Sequence, residues 1–141
     1  MTEEVVPSVT EEKKPEFSEE DLLAVFDTLM FEGVYTEDIM IKGKLKVTFK
    51  SMSAKDISEI SGILDAKNYV LYETMQQQRA LLNLSRCLTF YNQKDLSSMT
   101  VENKLTFMGT LPAAIVSALS DSLGTFSVKV QKACEVGEKN F

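Results

Sequence analysis

The sequence predicts an α+β fold, mainly α, in which a β-hairpin packs with a bundle of about five helices behind a flexible acidic N-terminal arm. Three observations lead there. Apolar and polar residues alternate strictly through Leu45-Lys46-Val47-Thr48-Phe49-Lys50, the period of a strand with one face on a core and one in water. Apolar residues at helical spacing dominate most of the chain on either side. Residues 1–16 mix Glu, Lys, Val, Thr and two prolines without any period, and read as an arm outside a single globular domain over residues 17–141. A chain of 141 residues is long enough to bury roughly two thirds of its unfolded surface in one core.

The first helix is expected from Glu19 to Phe31. Ser18 with Asp21 approximates a capping box, Phe17 before the cap can pack on Leu22, and Gly33 is a natural stop. Leu22, Val25, Phe26, Leu29 and Met30 form its apolar stripe. From Val34 the period becomes two. The run to Ile41 places Tyr35, Ile39 and Ile41 on one parity, and Lys42-Gly43-Lys44 supplies the turn into the alternating strand, which makes an antiparallel hairpin. Ser53 and Asp56 repeat the cap signature and open a short helix to Ala66 that buries Ile57, Ile60 and Leu64. Asn68 caps or separates the next segment, Tyr69 to Tyr91, which lacks Gly and Pro and turns apolar on most sides after Arg79, as a covered central helix would. Asn92 to Ser98 reads as a loop, and Val101 to Met108 as a helix with Leu105 and Met108 inward. Pro112 suits the first turn of a last helix carrying Ile115, Leu119, Leu123, Phe126 and Val130 on one face, with Gly137 loosening its end.

Composition excludes several kinds of chemistry. The chain has no histidine, which removes the commonest general base near neutral pH and the commonest metal ligand. Cys87 and Cys134 belong to no C-x-x-C pair and read as reduced, buried thiols. Gly43-Lys44 lacks the glycine and Ser/Thr of a phosphate loop, and neither a G-x-S-x-G elbow nor a G-x-G-x-x-G fingerprint occurs. Acid pairs such as Glu37-Asp38 read as a solvated strand end. No catalytic residue, cofactor or metal site is therefore expected.

Charge is divided unevenly. Residues 1–21 hold eight of the 21 acids and two of the 15 bases, which accounts for the whole net charge of −6. The balanced remainder lacks the basic surplus that nucleic acid binding needs. The apolar run Leu111 to Leu119 is far short of a membrane span, and the acidic Met1-Thr2-Glu3-Glu4 start is unlike a signal peptide.

What remains points to protein partners. Lys42, Lys44, Lys46 and Lys50 share the parity opposite to Leu45, Val47 and Phe49, so they are expected on the solvent face of the hairpin. There they either prevent edge-to-edge aggregation or dock an acidic segment. Tyr35, Tyr69 and Tyr72 are candidate aromatic anchors or rim residues, and Arg79 and Arg86 are expected to snorkel or pair with acids. The protein-binding candidates are Tyr35, Lys42, Lys44, Lys46 and Lys50.

The segment Ile41 to Ile60, IKGKLKVTFKSMSAKDISEI, resembles the strand-then-capped-helix segment of small tail assembly and baseplate hub proteins of tailed bacteriophages. The ending from Leu105 to Phe141, with Leu111-Pro112 and a terminal Asn140-Phe141, is similar in style. The resemblance covers under half of the chain and implies a hairpin followed by helices. It also implies a non-enzymatic role as structural hub subunit or assembly chaperone, with phage tail or baseplate proteins as partners, a possible homo-oligomer, and residence in the host cytoplasm during assembly or in the virion tail. A cellular adaptor or regulatory module with an acidic arm is the alternative. An enzyme working with Asp, Glu and Lys alone is a third reading.

Overall fold

A computed structural model of the chain describes residues 17–139. The arm over residues 1–16 and the closing Asn140-Phe141 lie outside the described residues. In chain order the elements are α1 (Glu19–Glu32), β1 (Thr36–Ile41), β2 (Leu45–Lys50), α2 (Ala54–Ala66), α3 (Tyr72–Cys87), β3 (Leu88–Tyr91), β4 (Lys94–Asp95), α4 (Val101–Gly109) and α5 (Ala113–Lys139). The fold is α+β and mainly helical, as expected, with a larger sheet than the hairpin alone.

Local signals explain most boundaries. The Ser18 side chain accepts from the Asp21 amide at 3.1 Å, and Gly33 closes α1 in the left-handed region at φ 80°, its amide donating to the Leu29 carbonyl at 3.0 Å. Around Ser53 both halves of a capping box form: the Asp56 amide donates to the Ser53 hydroxyl oxygen and the Ser53 amide donates to the Asp56 carboxylate, each at 3.1 Å. In the β1–β2 turn, Lys42 and Gly43 both take positive φ, 54° and 70°, and the Lys44 amide donates to the Ile41 carbonyl at 3.1 Å.

The sheet departs from expectation at residues 88–95. The helix predicted from Tyr69 to Tyr91 starts at Tyr72, where Leu71 provides no side-chain cap, and stops at Cys87. Leu88-Thr89-Phe90-Tyr91 then pairs antiparallel with β2, setting Val47 opposite Tyr91 and Thr48 opposite Phe90. A bulge at Thr89 brings Leu88 opposite Phe49, so both side chains point into the core. The predicted loop Asn92–Ser98 contributes a two-residue turn, Asn92 and Gln93 at φ 46° and 71°, and the short β4. The resulting order is β1-β2-β3-β4, which makes β2 interior and β1 an edge.

Three apolar clusters hold the layers. The inner sheet face (Ile41, Val47, Phe49, Leu88) packs on α3, α4 and α5 through Leu84, Cys87, Met108, Leu119, Leu123 and Phe126. Burying a side chain such as Phe49 or Leu84 completely contributes about 1.5–3 kcal/mol each. Leu22 and Val25 of α1 meet Ala133 of α5, with Phe17 packed against them as its place before the cap predicts. Ile60 and Leu64 of α2 meet Leu82 of α3. Three expectations about packing differ, the first at Met30, which belongs to the expected apolar stripe of α1 yet is exposed. Ile57 is exposed, because α2 turns only its Ile60–Leu64 stripe to α3. Gly137 does not loosen α5 but is buried within it, where a β-carbon would overlap ring atoms of Phe26.

Candidate protein-binding surface

The hairpin presents its lysines unequally. Lys42, Lys44 and Lys46 are exposed, whereas Lys50 is half-buried. It departs from the expected solvent face at the end of β2, near enough to Lys104 and Cys87 to act electrostatically on both. Lys46 lies 3.9 Å from Asp38 and over the Phe90 ring, 5.6 Å from its centroid. Asp38 also accepts from the Thr48 hydroxyl at 2.7 Å. The outer sheet face is thus a mixed surface of Asp38, Met40, Lys46, Thr48 and Phe90, with the positive charges of Lys42 and Lys44, unpaired among the described residues, at the hairpin tip.

Tyr35 is built into the rim of the core. Its ring stacks on Phe126 with centroids 5.9 Å apart and planes 12° apart, and its hydroxyl donates to Glu37 Oε1 at 2.6 Å. Lys129 of α5 donates to the same carboxylate oxygen at 2.7 Å and to the Tyr35 hydroxyl oxygen at 3.4 Å. Burial, followed by the Glu37 hydrogen bond and charge, raises the Tyr35 pKa. Burial alone would lower that of Lys129, but the bond to Glu37 and its charge, with help from Tyr35, leave it raised. The network ties β1 to α5 and holds Tyr35 half-buried at the rim of the core. Tyr69 is likewise half-buried, against the α2–α3 cluster.

Arg86 pairs with acids, as its place in an apolar helix predicts. Its guanidinium contacts Glu59 and lies 3.6 Å from Asp56, with Nε buried and lacking a hydrogen-bond partner among the described residues. Close by, Lys104 is only 6% exposed. Burial and then Lys50 lower its pKa. Burial, with Asp56 adding to it, pushes the Cys87 thiol up to about 12, so it is a protonated thiol at neutral pH. Cys134 is half-buried, not buried as expected. Among the described residues no three His, Cys, Asp or Glu side chains gather where they would hold a metal ion, and no helix is long and apolar enough to cross a membrane.

The most open apolar feature is one that periodicity misses. Val70, Leu71 and Tyr72, joining α2 to α3, are 95%, 60% and 69% exposed. Their signal in the sequence is the run of four large apolar or aromatic residues Tyr69-Val70-Leu71-Tyr72 shortly before the polar run Gln76-Gln77-Gln78, on neither a helical stripe nor a strand alternation. Met40 on the outer sheet face and Phe31 at the end of α1 are exposed as well. Comparison of the chain with protein-family models, with curated proteins and with solved structures finds no match.

Proposed function

We propose that this protein works without catalysis by binding other protein subunits, as a hub subunit or assembly chaperone in the building of a bacteriophage tail or baseplate. The observation that supports protein binding is the exposed run Val70-Leu71-Tyr72: three neighbouring large apolar side chains in water favour a site that a partner covers. The exposed aromatic in that run, Tyr72, is of the type enriched at the centres of protein interfaces. The phage setting rests on the resemblance of the segments Ile41–Ile60 and Leu105–Phe141. It carries with it a place in the host cytoplasm during assembly, or in the virion tail. The test is affinity purification of the tagged full chain from infected cells, with mass spectrometry of what accompanies it. Tail or baseplate proteins should accompany the wild type and be lost with Val70→Ser/Leu71→Ser. Absence of tail and baseplate proteins from the wild-type sample would overturn the setting, and partners retained by the variant would overturn the role of this segment.

A further inference from the structure

The open side of the sheet carries its own information about a partner. The Ser51 amide donates to the Tyr35 carbonyl at 2.8 Å, which makes residues 35 and 51 the last hydrogen-bonded pair of the β1–β2 ladder. Alternation along an antiparallel pair then directs the backbone groups of Glu37, Ile39 and Ile41 to β2, and those of Thr36, Asp38 and Met40 away from it. No described strand other than β2 pairs with β1. Along the same edge lies a cleft of about 220 Å³ between β1 and α5, lined by Phe17, Glu37, Ile39, Phe126 and Lys129 among others. Met40 on the opposite face is 55% exposed.

We propose that this edge recognises itself: two copies join β1 to β1 in antiparallel fashion about a two-fold axis at Ile39, making one continuous sheet. Residues directly opposite in a ladder share a face, so even positions must meet even and odd meet odd. Of the registers that satisfy this rule, the one centred on Ile39 overlaps Glu37 through Ile41 on both strands. It sets Asp38 against Met40 of the second copy, so that the outward-directed backbone groups of both strands exchange hydrogen bonds. Lys42 of one copy then falls one diagonal step from Asp38 of the other, within reach of a lysine side chain, and symmetry makes the pair twice. The side chains of Ile39 meet on the inner face and bring the two clefts together under cover. The exposed Met40 lies over the aliphatic part of Asp38 on the outer face. A joint of one short strand is small, and its dimer is weak and concentration-dependent.

The experiment is sedimentation equilibrium of the full chain from micromolar to sub-millimolar concentration, with circular dichroism of every variant. The wild type should follow a monomer–dimer equilibrium that higher salt weakens. Met40→Pro removes an amide that faces the edge and not β2, and Lys42→Asp places like charges against each other across the joint; each should weaken the dimer about tenfold or more. Adding Asp38→Lys to Lys42→Asp should restore it. If Met40→Pro disturbs the hairpin, Lys42→Asp still decides, because Lys42 is exposed and outside both strands. A monomer at every concentration overturns the proposal, as does a dimer indifferent to Lys42→Asp. Neither result bears on the capture of tail proteins through Val70–Tyr72, so the two ideas fail separately.

Discussion

Replacing Gly137 by alanine separates two physical effects that act in opposite directions. Glycine inside a helix costs about 0.8–1.0 kcal/mol relative to alanine, so propensity alone predicts that Gly137→Ala stabilises the protein. At this position, however, the new methyl would overlap Cγ, Cδ1 and Cδ2 of Phe26, whose ring lies directly on the α5 backbone. Relief requires either an unfavourable ring rotamer or displacement of α1, and forced overpacking of this sort costs about 1–3 kcal/mol. Gly137 lies two residues before the end of α5, where the propensity gain is smaller than in a helix interior, so the net expectation is a loss on the order of 1 kcal/mol. Gly124 is the control. It lies in the same helix with no atom within 4 Å of an added β-carbon, and Gly124→Ala should gain about 0.5–1 kcal/mol. Urea denaturation followed by circular dichroism measures both. Trimming the ring should expose the cause: in a double-mutant cycle, Phe26→Leu should cost less in the Gly137→Ala background than in the wild type. A Gly137→Ala protein as stable as Gly124→Ala would show that Phe26 does not need the glycine, and the packing account of α1 on α5 would fail.

Three further outcomes follow from the core. Leu84 is fully buried at the junction of α3 and the sheet, so Leu84→Ala should cost about 2–5 kcal/mol in denaturant titration; a loss below about 1 kcal/mol would place that face outside the core. Lys104→Met keeps an unbranched buried side chain, one heavy atom shorter, and removes its charge, and should stabilise the fold by about 1 kcal/mol at neutral pH, with a loss of stability arguing for an essential ammonium contact. The Cys87 thiol has a folded-state pKa raised to about 12 from an ordinary value near 9, so the folded protein holds its proton after the unfolded chain has lost it. Its contribution is complete below pH about 9 and lost as the pH rises toward 12, so Cys87→Ala should flatten the alkaline fall in stability; an equally steep fall in the variant would contradict the burial of the thiol.

Much of the fold is legible because its signals are local. Alternation in Leu45–Lys50 and the caps at Ser18 and Ser53 need only their own neighbours to act, and all three appear where the residues place them. β3 is not legible for the complementary reason. Leu88-Thr89-Phe90-Tyr91 continues a largely apolar run from α3 without Gly or Pro, and so short a strand has no period to distinguish it from a further helical turn. The decisive partner, β2, lies about forty residues away in the chain. The three large β-formers and the turn-prone Asn92 were the available hints. The surface shows the same division. Parity puts Lys46 on the outer face correctly, but nothing near Tyr35 in sequence announces Lys129, which fixes it to α5, and nothing near Lys104 announces that it is buried.

The last helix ends in company different from that in which it begins. At 27 residues α5 is about 40 Å long; its first half is buried in the sheet core through Leu119, Leu123 and Phe126, while Ala133 and Gly137 are covered where α1 crosses. One unbroken helix is therefore subject to two opening reactions. Amides around Leu119–Phe126 exchange with solvent deuterium only when the sheet comes apart, whereas those around Ala133–Gly137 exchange whenever α1 lifts away. Protection should fall in a step between these groups, and a ligand or mutation that detaches α1 should move the lower step while leaving the upper one in place.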